Sequence, residues 1–214
     1  MACPCVNNAY ISVDHQVLTL GVKRLSWRKI QCCIPHLPSS CKPICISGVL
    51  YYKAGAPGMS IVESMVVCFD LRTEKFSSVK FLGTSSKAPT PTLVNFNGKL
   101  GLLMSGDSSC VNLSRTTTSF ELWVLRDAAK HEWSKHVYVL PPSWENVVTE
   151  AMLITGMIGN EIVLSPGYQN GPFYVIYYNV ESKKITKVGV QGMEVFQGKY
   201  VETYLTYCEN VKLF

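Results

Sequence analysis

The chain has 214 residues, of which 47% are hydrophobic and 16% charged, with a formal net charge of +5. That length supports a sizeable core, and charge this sparse, against about 25% in an average domain, argues against disorder and against a basic nucleic-acid-binding stripe. No run approaches the 18 or so consecutive apolar residues of a membrane-spanning helix, and Met1-Ala2-Cys3-Pro4-Cys5 lacks the features of a secretory signal.

The expected location is therefore inside the cell, in the cytoplasm or nucleus, where the nine cysteines would be reduced thiols. Along the chain, residues 1–15 read as an irregular N-terminal segment and 16–214 as one domain. Lys23, Arg24, Arg28 and Lys29 straddle an expected tight hairpin turn, and a solvated hairpin tip accounts for them. Helical periodicity is nearly absent. Short runs of β-branched and aromatic residues recur instead, at Val62–Asp70, Leu93–Phe96, Lys99–Met104, Phe120–Leu125, Glu161–Leu164 and Phe173–Val180.

Two signals recur in register. Ser47-Gly48, Asn97-Gly98 and Gly159-Asn160 each precede an apolar run, and such dipeptides tolerate the positive φ that two-residue hairpins require. In addition, a strand ends in an acid or amide and a large apolar residue opens the next one six positions later: Asp70 to Phe76, Asp127 to Trp133, Asn179 to Ile185, with a fainter copy from Gly21 to Trp27. These markers lie 49, 57 and 52 residues apart, near the ~50-residue period of kelch-type propeller blades. The fold expected is all-β, a partial β-propeller-like array of about three to four antiparallel four-stranded blades, with a last strand near Thr203–Tyr207. Runs such as Met65–Phe69 and Tyr174–Tyr178 are apolar on both faces, as stacked sheets require. Gly83–Pro91 and Pro141–Asn146 read as connections between blades, and Gly106–Ser119 as a long loop within one.

The strings that carry these signals resemble plant F-box proteins with a type-3 F-box-associated domain, which are related to the F-box kelch proteins. They include Leu25-Ser26-Trp27-Arg28-Lys29-Ile30, Ile44 to Tyr52, Val67 to Phe76, Leu93 to Leu100, Glu121 to Leu125, Lys130 to Lys135, Gly159 to Pro166, Phe173 to Asn179 and Val211-Lys212-Leu213. The resemblance implies a substrate-recognition module of a cullin–RING ubiquitin ligase, holding a protein target and reaching the ligase adaptor only through an F-box supplied upstream. No segment of this sequence fits such an F-box, and the chain reads as short of a full ring. A truncated or competing fragment is therefore an alternative, and a propeller-scaffold hydrolase a more distant one.

No residue is singled out as catalytic, cofactor-binding or metal-binding. Among Cys3, Cys5, Cys32, Cys33, His36, Cys41 and Cys45, only Cys41 and Cys45 approach zinc-ligand spacing. Gly106-Asp107-Ser108-Ser109 lacks a nucleophile elbow, Gly98-Lys99-Leu100-Gly101 lacks P-loop spacing, and His131 and His136 belong to a hairpin. Partner binding is the function expected. The strand tryptophans Trp27, Trp123 and Trp133 are assigned to the core, and the loop aromatics Trp144 and Tyr168 are the candidate interface anchors. No nucleic acid and no membrane is expected as a partner.

Overall fold

In the computed structural model, residues 15–21, 23–39, 42–55, 64–80, 91–107 and 113–205 are described. The strands, in chain order, are β1 (His15–Leu18), β2 (Trp27–Ile30), β3 (Leu37–Pro38), β4 (Ile44–Ile46), β5 (Val49–Gly55), β6 (Ser64–Asp70), β7 (Lys75–Lys80), β8 (Thr92–Phe96), β9 (Lys99–Ser105), β10 (Ser119–Asp127), β11 (Glu132–Val139), β12 (Met152–Ile158), β13 (Glu161–Pro166), β14 (Tyr174–Asn179) and β15 (Ile185–Gly189). One short helix, α1 (Trp144–Val147), and a 3₁₀ turn at Glu194–Phe196 complete the described elements. The chain divides into two compact units, one drawn from Met1–Leu82 with Cys208–Phe214, the other from Gly83–Tyr207.

The first unit holds the β1–β2 hairpin and a sheet ordered β3-β5-β6-β7, with β4 also paired to β5. β3 and β4 pair with opposite ends of β5, at Ala54–Gly55 and Val49–Tyr51, so together they make one broken edge strand. The second unit holds two four-stranded antiparallel meanders, β8-β9-β10-β11 and β12-β13-β14-β15. The fold is thus all-β, with three blade-like sheets and the hairpin of a fourth.

Turn chemistry explains where strands reverse. Ser47 and Gly48 have φ of 51° and 80°, and Asn97 and Gly98 have 51° and 78°, the double positive φ of a type I′ hairpin. Asn95 adds its Oδ1 as acceptor for the Gly98 N–H. The six-residue step is a repeated loop with one mechanism. Asp70 Oδ1 accepts the N–H groups of Arg72 and Thr73, Asp127 Oδ1 those of Ala129 and Lys130, and Asn179 Oδ1 those of Glu181 and Ser182. In each loop the residue four positions after the acid or amide is left-handed: Glu74 at 55°, His131 and Lys183 at 57°. The fainter copy is not this loop. β1 ends at Leu18, paired with Trp27, so Gly21 lies inside a longer connection and Arg28 and Lys29 lie on β2. Arg28 forms a two-pronged ion pair with Glu74, its Nη1 donating at 2.6 Å.

Side-chain alternation places the second unit's core. Phe120, Leu122 and Val124 of β10 meet Ile162 and Leu164 of β13 and Tyr174, Ile176 and Tyr178 of β14. The other face of the last sheet, Val163, Phe173 and Val175, is covered by Met193, Val201 and Leu205 of the C-terminal segment. Gly101 is glycine for closeness: a Cβ there would lie 2.8 Å from Val94 Cγ2 and 3.0 Å from Leu122 Cδ1.

The tryptophans correct the expected burial. Trp144 was expected exposed in a loop, yet it is only 1% exposed. Its indole meets Phe120 edge-on, with centroids 5.9 Å apart, and its Nε1 donates to the Ser114 carbonyl at 3.0 Å. Ser114 is brought there because its neighbour Leu113 exchanges backbone hydrogen bonds of 2.8 and 2.9 Å with Met152. Trp27, expected in the core, is 65% exposed. Trp123 and Trp133 are half-buried, and Trp123 donates to Glu121, which pairs with Lys135 at 2.7 Å. The last strand expected near Thr203–Tyr207 is not formed over Thr203–Leu205. An isolated antiparallel bridge, Tyr168 to Tyr200, stands earlier in that segment. Cys32, Cys45 and Cys68 are free, but Cys33 is disulfide-bonded, against the expectation of uniformly reduced thiols. The connection expected over Gly83–Pro91 lies outside the described residues except for Pro91, as does the N-terminal segment up to position 14.

Four substitutions test these contacts. Asn179→Ala removes two acceptor contacts and lowers unfolding stability in urea by roughly 1–2 kcal/mol; Lys183→Gly relieves about 1–2 kcal/mol of left-handed strain against roughly 0.5–1 kcal/mol of added backbone entropy, so its midpoint rises slightly. Trp144→Ala costs about 3–5 kcal/mol by the same measurement, because it empties a core site. Burial pushes the Cys68 thiol from 9.0 up to about 11, with the Ser77 hydrogen bond opposing. A raised folded-state pKa means that this stability is full below pH 9 and is lost as pH climbs toward 11. Thermal melts of Cys68→Val across that range therefore show a shallower fall than the wild type.

Candidate partner-binding surface

The two aromatics expected to anchor a partner have separate fates. Trp144 sits in the core and offers no surface. Tyr168 is 57% exposed, in the stretch joining β13 to β14. Its backbone faces Tyr200 across the isolated bridge, and the Val201 N–H donates to Gly167 O at 3.0 Å, the Gln169 N–H to Lys199 O at 3.0 Å. The Tyr168 and Tyr200 rings meet edge-to-face, centroids 5.4 Å apart, and Tyr200 is 58% exposed. Val195, Phe196 and Tyr204 of the same C-terminal segment are exposed too.

Tyr200 and Phe196 could not be found from local sequence. They lie in a segment with no strand pattern, which becomes ordered by packing its Met193, Val201 and Leu205 onto the last sheet.

The same β13–β14 stretch lines a groove of about 440 Å³ with Asn170, Gly171, Pro172 and Phe173, together with Thr149, Glu150, Tyr174, Lys187 and Gly189. Lys187 Nζ sits 3.6 Å from the centre of the Tyr174 ring, a cation–π contact, and 3.5 Å from Val147 O. The Tyr174 hydroxyl is 3.1 Å from Thr149 Oγ1. Burial pushes the Tyr174 phenol up, with the Glu150 charge adding to it. The groove thus offers a phenol, a lysine and a glutamate. That set can bind a mixed apolar and polar segment. Glycoside chemistry needs a pair of carboxylates, and the groove supplies one.

In the first unit, His15, Cys32 and His36 bring three metal-competent atoms within 4.8 Å of one another. Sequence reasoning had Cys32 and His36 among its candidates and missed His15, which only the β1–β2 pairing brings near. Cys32 and His36 have three residues between them, the same separation as Cys41 and Cys45, so spacing pointed to them as well.

Comparison with known proteins agrees with the sheets. A family model described as "F-box associated beta propeller domain" matches residues 2–211. The chain is 50% identical over 202 residues to F-box protein DOR of Arabidopsis thaliana, a match covering 94% of this chain and 49% of that protein. It is 49% identical over 208 residues to F-box protein At5g65850 of the same plant, covering 96% of this chain and 52% of the relative. The chain thus spans about half the length of these curated relatives. With blade-like meanders, turn loops in register and a family match over nearly its whole length, the chain belongs to the F-box-associated β-propeller domain family.

Proposed function

We propose that this chain is a protein-interaction module, the target-holding part of an F-box subunit of a cullin–RING ubiquitin ligase, with Tyr168 and Tyr200 at the centre of its contact surface. An F-box in the same polypeptide, as in the relatives named F-box proteins, would connect the held target to the ligase adaptor. The cytoplasm and nucleus are the compartments this role fits.

The observation that carries the reading is the Tyr168–Tyr200 pair. Two large exposed aromatics are held in place by backbone hydrogen bonds on both sides of the bridge, so binding them orders little that is not already ordered. Tyrosine supplies contact area at low conformational cost and a hydroxyl for a polar partner group. The groove lined by the same β13–β14 stretch holds Lys187 and Glu150, which would add charged contacts.

The test is capture of the target from plant extract with the wild-type chain and with Tyr168→Ala/Tyr200→Ala, each checked for an unchanged thermal melt. Loss of two interface anchors weakens retention by about 30-fold or more, the effect of roughly 2 kcal/mol. Equal recovery of the same target by a folded double variant would remove the tyrosine pair from the interface.

A further inference from the structure

The segment between β2 and β3 folds back so that Cys32 and His36 approach His15 on β1. Cys32 Sγ lies 4.0 Å from His36 Nδ1. Both groups turn to one acceptor: the Ile34 carbonyl oxygen is 3.5 Å from Cys32 Sγ and 2.8 Å from His36 Nδ1. His15 closes the third side, its ring 5.1 Å from that of His36 and stacked on Phe76 at 4.8 Å. His36 is buried, and Cys32 and His15 are half-buried. On the far side of His36, the Tyr52 hydroxyl is 2.8 Å from Nε2.

We propose that His15, Cys32 and His36 form a binding site for a transition-metal cation of borderline softness, of which zinc(II) is the type, and that the cation clips the β1–β2 hairpin to the sheet of β3 to β7. One thiolate and two imidazoles match the ligand preference of such ions. Bond lengths near 2.0–2.3 Å place ligand pairs about 3.3–3.8 Å apart, so the longest separation here must close by roughly 1 Å, within the reach of a half-buried side chain.

The proton inventory is simple. Cys32 gives up its thiol proton to solvent and binds as thiolate. His36 binds through Nδ1 as imidazole with its ring proton on Nε2, and that N–H donates a hydrogen bond to Tyr52 Oη. Tyr52 is then the outer partner that fixes ring orientation, as metal-bound histidines commonly require. The Ile34 carbonyl, relieved of its two donors, faces the cation from the fourth side, or a water takes that place.

The other free thiols provide the contrast. Cys45 is exposed, and Cys68 is turned to the Val66 carbonyl; neither joins a cluster of three ligand groups among the described residues.

The experiment is titration of the metal-stripped full chain with zinc(II) by calorimetry and with cobalt(II) by absorption spectroscopy, beside melts of the metal-free and metal-loaded forms. The expected result is one equivalent bound, a sulfur-to-cobalt charge-transfer band in the near ultraviolet and a raised melting temperature. Cys32→Ser and His15→Gln each weaken binding at least about tenfold, and Cys32→Ser abolishes the band; Tyr52→Phe weakens it by about tenfold or more through the outer partner. Cys45→Ser leaves all three readouts unchanged. His36→Ala is avoided because His36 is buried. Cobalt binding without the charge-transfer band would overturn the site, and so would wild-type affinity in folded Cys32→Ser and His15→Gln.

Discussion

A four-stranded antiparallel sheet with apolar side chains on both faces leaves one face against water unless something covers it. In the second unit that constraint is met twice. The face of β13 and β14 that carries Ile162, Leu164, Tyr174, Ile176 and Tyr178 packs on Phe120, Leu122 and Val124. The opposite face, Val163, Phe173 and Val175, lies under the C-terminal segment through Met193, Val201 and Leu205. The candidate binding surface is a consequence of the second covering. Because Val201 is drawn down onto the sheet, its neighbour Tyr200 is placed across from Tyr168 and both rings remain outside.

The first covering explains Trp144. Two blades meeting face to face leave space at their edge, and the 140–148 connection fills it with Leu140, Trp144 and Val148. The indole N–H then needs an acceptor in a dry site, and Ser114 O provides it. Residues 113–118 are thereby fixed to the core at Leu113 and at Ser114, so a segment of loop composition takes part in the packing.

The strands were legible because their ends are written in backbone chemistry. Asn97-Gly98 and Ser47-Gly48 adopt the φ values that favour those residues, and Asp70, Asp127 and Asn179 close three loops by the same pair of hydrogen bonds. The period follows from these turns. Trp144 was misread because Pro141-Pro142-Ser143 carries loop composition, and local composition is silent on whether a loop returns to the core. Trp27 was misread for the converse reason: β2 has strand composition, but Trp27, Arg28 and Lys29 are all exposed. Family resemblance could identify the module from its ordered strings. It could not place Tyr200 beside Tyr168, or His15 beside Cys32 and His36, because pairings between distant positions depend on the finished sheets.

The central claim, that the chain holds a protein target at the surface built from the β13–β14 stretch and the C-terminal segment, is tested most directly by hydrogen–deuterium exchange of the chain with its captured target bound and removed. Slowed exchange concentrated at residues 167–173 and 193–204 is the predicted footprint. Protection confined to β10 and β11, around Glu121, Trp123 and Lys135, with residues 167–173 and 193–204 unchanged, would contradict it.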